Sequence, residues 1–185
     1  MRPMGEEHLL ARAVLNEAFT VFDDNVRKLT LEEFLDAQGG YRSILGLTKH
    51  TIGWTIAYHS YAFEEPPRSW EELDWPRGLR DTIDPSEDYV REMLVWFEAS
   101  RDAWLGAIEP PVDLASERRL HWGDTAPLRD IVAMAAGHIT YHAGEINEIL
   151  AIRRGEANEI GEEVEENHID TEGHRVRPVW MDREA

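Results

Sequence analysis

The stretch from 131 to 149 constrains the fold of this chain more than any other. Ile131, Ala135, His138, His142, Glu145 and Ile149 follow one another in alternating steps of four and three residues. That spacing draws one stripe along a helix, the seam that packs against other helices. Two histidines and a glutamate stand where such a seam normally carries leucine. Burying them without partners costs several kcal/mol, so the stripe implies a use for them.

The rest of the chain shows the same period. A first helix is predicted over residues 5–28, with Leu10, Val14, Ala18, Val21 and Phe22 facing inward. Thr30 and Glu33 form a capping box for a short turn of helix over 31–36, which Gln38-Gly39-Gly40 breaks. A second helix is predicted over 41–63, with Leu47, His50, Trp54, Ala57 and Tyr61 inward, and Pro66-Pro67 ends it. The connection that follows reaches Ile83 and holds Trp70, Trp75, Pro76 and Gly78. It is too long for a hairpin between neighbouring helices, and reads as a crossover held on the bundle by its tryptophans.

Asp84, Pro85 and Glu87 read as cap, first position and capping box of a third helix. Val90, Leu94, Phe97, Arg101, Trp104 and Ile108 mark one side of it, and Pro110-Pro111 stops it. The fourth helix is predicted from Thr125-Ala126-Pro127 to Arg154, with Gly155 just past its end. No strand pattern stands out. The expected fold is therefore all-α, a four-helix bundle with a long crossover connection. The bundle is assigned to residues 1–155 and an acidic C-terminal extension to 156–185. The extension holds ten acidic and three basic residues. It reads either as a solubilising appendage or as a segment that folds back through Val176, Val179 and Trp180.

At 185 residues the chain suits one domain with a real core. It has no cysteine, which excludes disulfides, thiolate metal sites and a cysteine nucleophile. The first residues lack the apolar run of a secretory signal, and no segment approaches the roughly 18 apolar residues of a membrane span. A cytoplasmic location is expected. The formal charge of -18 repels phosphate backbones and anionic lipid, so neither nucleic acid nor membrane is an expected partner.

His138 and His142, four residues apart, put both imidazoles on one helix face within reach of one cation. A His-x-x-x-His pair also arises by chance on helices. The inward position of His50 on the second helix supplies a third candidate ligand. Three histidines leave a coordination position open for water or substrate, as in catalytic rather than structural sites. His59 lies nine residues from His50, about half a turn round the helix, and should face away. His8, His121, His168 and His174 fall at ends or in loops and are read as solvated. His-Glu-x-x-His is absent, and the lone Glu-x-x-His, Glu165 to His168, lies in the extension. There is no P-loop, no Gly-x-Gly-x-x-Gly and no Gly-x-Ser-x-Gly.

Two segments carry a family resemblance. SILGLTKHTIGW, residues 43–54, and LRDIVAMAAGHITYHAGEI, residues 128–146, resemble the second- and fourth-helix histidine segments of the DinB/YfiT-like superfamily of metalloenzymes. The likeness extends over about residues 5–155. It implies a four-helix bundle with a crossover, often a homodimer, and a three-histidine site for one divalent metal ion, nickel or zinc. His50, His138 and His142 match the ligands. Glu145 stands where relatives have Gln or Glu, so it is read as supporting a ligand or facing substrate, with a catalytic role in proton transfer. Some relatives transfer low-molecular-weight thiols to electrophiles, which makes a metal-dependent thiol S-transferase the leading expectation. A metal-dependent hydrolase and a non-catalytic dimeric stress-response or binding protein with a structural metal are the alternatives. Trp54, Tyr58 and Tyr141 either line the mouth of such a site or simply pack the core.

Overall fold

Helix α1, Glu6–Val26, begins with Glu6 and Glu7 in its first turn, where carboxylates oppose the positive end of the helix dipole. In this computed structural model, which describes residues 5–37, 42–80 and 84–155, Leu15, Ala18, Phe19, Phe22 and Val26 form its buried face. That corrects the expected stripe: Leu10 and Val14 are 66% and 44% exposed. Leu9, Leu10, Val14 and Leu15 are all apolar, so periodicity fits two adjacent stripes that share Ala18 and Phe22. Packing decides between them, because the rings of Phe19 and Phe22 meet Phe97 at centroid distances of 5.0 and 4.8 Å.

Helix α2, Leu31–Leu35, is held by the expected capping box. Thr30 Oγ1 accepts from the Glu33 amide at 3.3 Å, and Glu33 accepts from the Thr30 amide at 2.8 Å. Residues 38–41 lie outside the described residues, and helix α3, Ile44–Phe63, starts behind a Ser43 cap. It is buried on most sides, not along one stripe. Its buried hydroxyls are satisfied within the helix: Thr48, Thr51 and Thr55 donate to the carbonyls of Ile44, Leu47 and Thr51 at 2.8, 2.9 and 2.6 Å.

Helix α4, Glu87–Ala107, is capped by Ser86, whose hydroxyl accepts from the Tyr89 amide. The cap thus falls two residues later than expected, because a serine follows the Asp84-Pro85 pair and supplies the oxygen. A small hairpin follows that the sequence did not reveal. Strands β1, Glu117–Arg119, and β2, Thr125–Pro127, pair antiparallel with Glu117 opposite Pro127. Three residues per strand are too few to show an alternating pattern. Gly123 turns the loop at a φ of 102°. Arg118 Nε fastens the hairpin to α3 through the Ala62 carbonyl at 2.8 Å.

Helix α5, Leu128–Arg154, completes the set. The chain divides into compact units over Met1–Ile146 and Asn147–Ala185, and α5 passes from one to the other. Of the second unit, residues 147–155 are described. They end the helix with Arg153, Arg154 and a Gly155 at φ 73°, as the sequence predicts. The acidic extension, with His168, His174 and its two readings, lies outside the described residues.

Side-chain pairings in the first unit give the helix directions. Arg12 meets Glu109 and Arg101 meets Asn16, so α1 and α4 are antiparallel. Glu7 meets Arg129 and Asn25 meets the Ala143 carbonyl, so α1 and α5 are parallel. Lys49 lies over Tyr89 while Thr55 and His59 meet Trp104, so α3 and α4 are parallel too. Parallel neighbours cannot be joined by a short hairpin, which explains the long crossover physically. Trp70 and Trp75 of that connection rest on α3 at Gly53, where an added Cβ would lie 3.1 Å from Trp70. Among the described residues, no helix is long and apolar enough to cross a membrane.

Candidate metal centre

Helices α3 and α5 run antiparallel, which brings the middle of one against the middle of the other. His50 from α3 therefore meets His138 and His142 from α5. Ring centroids lie 5.2 Å apart for His50 and His138, 4.8 Å for His50 and His142, and 4.5 Å for His138 and His142. One ligand atom from each ring lies within 4.8 Å of the other two. Small side-chain rotations suffice to bring all three to the roughly 2.0–2.1 Å of a metal–nitrogen bond. Among the described residues this is the group of histidine and acidic side chains able to hold a metal ion.

Hydrogen bonding tests whether the residues fit an ion. Buried polar atoms are almost always paired. Here Nε2 of His138 and Nε2 of His142 are buried with no protein partner. His142, only 6% exposed, directs Nδ1 to the Glu145 carboxylate. That contact assigns the ring proton to Nδ1 when the ring is neutral and leaves a lone pair on Nε2. An imidazole held by a carboxylate on its far nitrogen is the usual support of a metal ligand. The donor set and the unpaired nitrogens fit a divalent cation.

The electrostatics act in the same direction. Burial above all, together with the charges of His142 and His50, pushes the His138 pKa down to about 4. Burial also lowers His50, helped by His142 and Arg42 and opposed by Glu145. Both rings are therefore neutral near pH 7 and keep a lone pair for a cation.

Aromatic side chains border the centre. Trp54 lies 5.7 Å and Tyr58 5.9 Å from the His138 ring, and Trp54 also stacks towards Trp70 of the crossover at 5.3 Å. Tyr141 touches His142 at 5.1 Å but is 65% exposed. These three tyrosine and tryptophan side chains thus flank the histidines, with Tyr141 on the outside. His59 turns away from the triad towards Trp104 of α4, as its spacing predicts. His8 departs from the solvated reading: its Nε2 bonds the Val112 carbonyl at 2.8 Å. His121 is exposed and stacks on Tyr61 at 5.0 Å.

The sequence did not single out Tyr61 beyond its inward position. Its hydroxyl is buried without a hydrogen-bond partner, and burial raises its pKa to about 12. No local pattern could have announced this, since the surroundings come from α3 and the hairpin together.

No curated protein and no solved structure gives a match to this chain. A family model does, over residues 14–146, a span that contains all three histidines and Glu145. By that match the chain belongs to the DinB superfamily.

Proposed function

We propose that His50, His138 and His142 hold one divalent metal ion, nickel or zinc, and that the site serves a metal-dependent thiol S-transferase. The observation that carries the metal reading is the pair of buried, unpartnered Nε2 atoms on His138 and His142, beside an Nδ1 tied to Glu145. Three neutral nitrogens suit borderline-soft cations better than calcium or magnesium, which take oxygen ligands. The fourth position is left to substrate or water.

A bound divalent cation at this place supplies Lewis acidity, which favours the thiolate form of a low-molecular-weight thiol. The chain's own groups do the remaining work. Glu145 fixes the orientation of the His142 ring, and its second oxygen is a base for the thiol proton. Trp54 and Tyr58 wall the centre and limit water. In the transfer a C–S bond forms on the electrophile as its bond to the leaving group breaks, and the leaving group departs with the electron pair.

Elemental analysis of purified protein beside a His142→Ala variant tests the metal reading. One equivalent in the parent and loss in the variant is the expected result; full retention in the variant overturns it. A panel of cofactor thiols and electrophiles on nickel- and zinc-loaded protein tests the transfer. If hydrolysis appears instead, the open position serves a water. If neither activity appears and chelation lowers the melting temperature sharply, the metal is structural.

The expected homodimer has one supporting observation. Leu9, Leu10 and Val14 of α1 are 53%, 66% and 44% exposed, an apolar strip for which a second copy is a natural cover. Sedimentation of a Leu10→Glu variant checks it: a shift from dimer to monomer is expected, and an unchanged mass removes the strip from the interface.

A further inference from the structure

On the far side of α3 from the histidine triad lies a cavity of about 270 Å³ between α3 and α4, closed at one end by the start of the crossover. None of the three histidines or Glu145 lines it. We propose that this cavity is a second ligand site, and that it takes a small ammonium ion with an apolar, ring-sized body.

The body of the ligand follows from the walls. Trp96, Trp104, Ile56, Ala99 and Ala103 give two indoles and an apolar surface. Small ligand pockets are commonly built this way, apolar with a few polar groups that fix orientation.

The charge of the ligand follows from an inventory of donors and acceptors. Most of the lining donors are already spent, the Trp96 indole N–H and two N–H of Arg68 apart. Ser60 donates to Glu64 at 2.7 Å, Ser100 to the Trp96 carbonyl at 2.9 Å, and Thr55 to the Thr51 carbonyl at 2.6 Å. Trp104 Nε1 donates to the Thr55 carbonyl at 3.1 Å. The Arg68 fork is engaged by Glu64 through Nε and Nη2, both at 2.6 Å, and by Asp74 through Nη1 at 2.7 Å.

Several acceptors stay open. The Ser100 oxygen keeps its lone pairs. Glu64 stays ionised, since Arg68 above all lowers its pKa, and Ser60 assists. His59 is held neutral by burial, against the opposing pull of its bond to the Ala103 backbone and of Glu64. A neutral ring with one nitrogen bonded to that backbone keeps a lone pair on the other. Two carboxylates, Glu64 and Asp74, face one guanidinium, so the local charge is negative. An anion meets a repulsive field here, with Arg68 already shared by two carboxylates. An ammonium finds acceptors, a favourable field and indole faces.

Calorimetric titration of the full chain with benzylamine, benzyl alcohol and benzoate tests the proposal. One saturable site per chain is expected for benzylamine, with about tenfold weaker binding of the alcohol and none of benzoate. Ser100→Phe fills the cavity from within and Ala99→Phe fills it from the rim. Each variant that keeps the parent's helical circular dichroism should lose the site. Chelator-treated protein should bind benzylamine with unchanged affinity, which separates this site from the metal centre. Any of four results overturns the proposal. They are no benzylamine binding up to about 10 mM, benzoate binding as tight as that of the amine, and amine binding that survives in the filled variants or disappears on chelation.

Discussion

Glu145 bonds the Nδ1 of His142 across one turn of α5, and so decides which nitrogen of that ring is free. The contact is local to the helix, because residues three apart share a face. Its consequence is not local, because the freed Nε2 is buried among rings from two helices.

Replacing Glu145 with Ala should therefore weaken metal binding by about 10- to 100-fold with the fold intact. Gln keeps an acceptor oxygen and should lose less. Competition with a chromophoric chelator measures both. Equal affinity in parent and Ala variant would show that His142 needs no support.

The metal-free protein should lose stability on acidification between about pH 6.5 and pH 4. The pKa of His138 is lowered in the folded state to about 4, against an ordinary value of 6.5. In that window the unfolded chain binds more protons at this site than the folded one, so its contribution to stability rises with pH. His50, lowered in the same direction, adds to the slope. Melting curves of chelator-treated protein across this range should be steeper in pH than those of a His138→Leu variant. Parallel curves would mean that the ring titrates normally.

Gly53→Ala sets two effects against each other. Alanine is favoured over glycine inside a helix by roughly 1 kcal/mol. The new Cβ would press on Trp70 at 3.1 Å and Trp75 at 3.6 Å, and overpacking costs about 1–3 kcal/mol. Net destabilisation is expected in the parent, with a change in tryptophan emission. In a Trp70→Ala background the same substitution should stabilise. A stabilising effect in both backgrounds would show that the crossover yields freely.

Phe97→Ala should cost about 3–5 kcal/mol in denaturant unfolding, because the ring is buried against Phe19 and Phe22. It should leave the metal stoichiometry unchanged, since Phe97 belongs to the α1–α4 side. Loss of metal at full helicity would couple the two sides of the bundle.

The amino-acid sequence by itself determined the helices and the face of α5 that carries the site. Proline pairs, the Thr30–Glu33 box and the four-three spacing from Ile131 to Ile149 are local signals, and local backbone energetics obey them. The relation between Glu145 and His142 is likewise legible, because both lie on one turn. Tertiary structure decided what depends on distant partners. His50 joins the other two histidines only because α3 and α5 run antiparallel at matching height. The buried stripe of α1 was chosen by Phe97, a residue about 80 positions away, between two stripes that periodicity fits equally. The hairpin escaped notice because three-residue strands draw their definition from each other. The cavity beside His59 is lined by three separate segments, α3, the crossover and α4. Spacing along one helix fixes which side chains share a face; only packing fixes what that face meets.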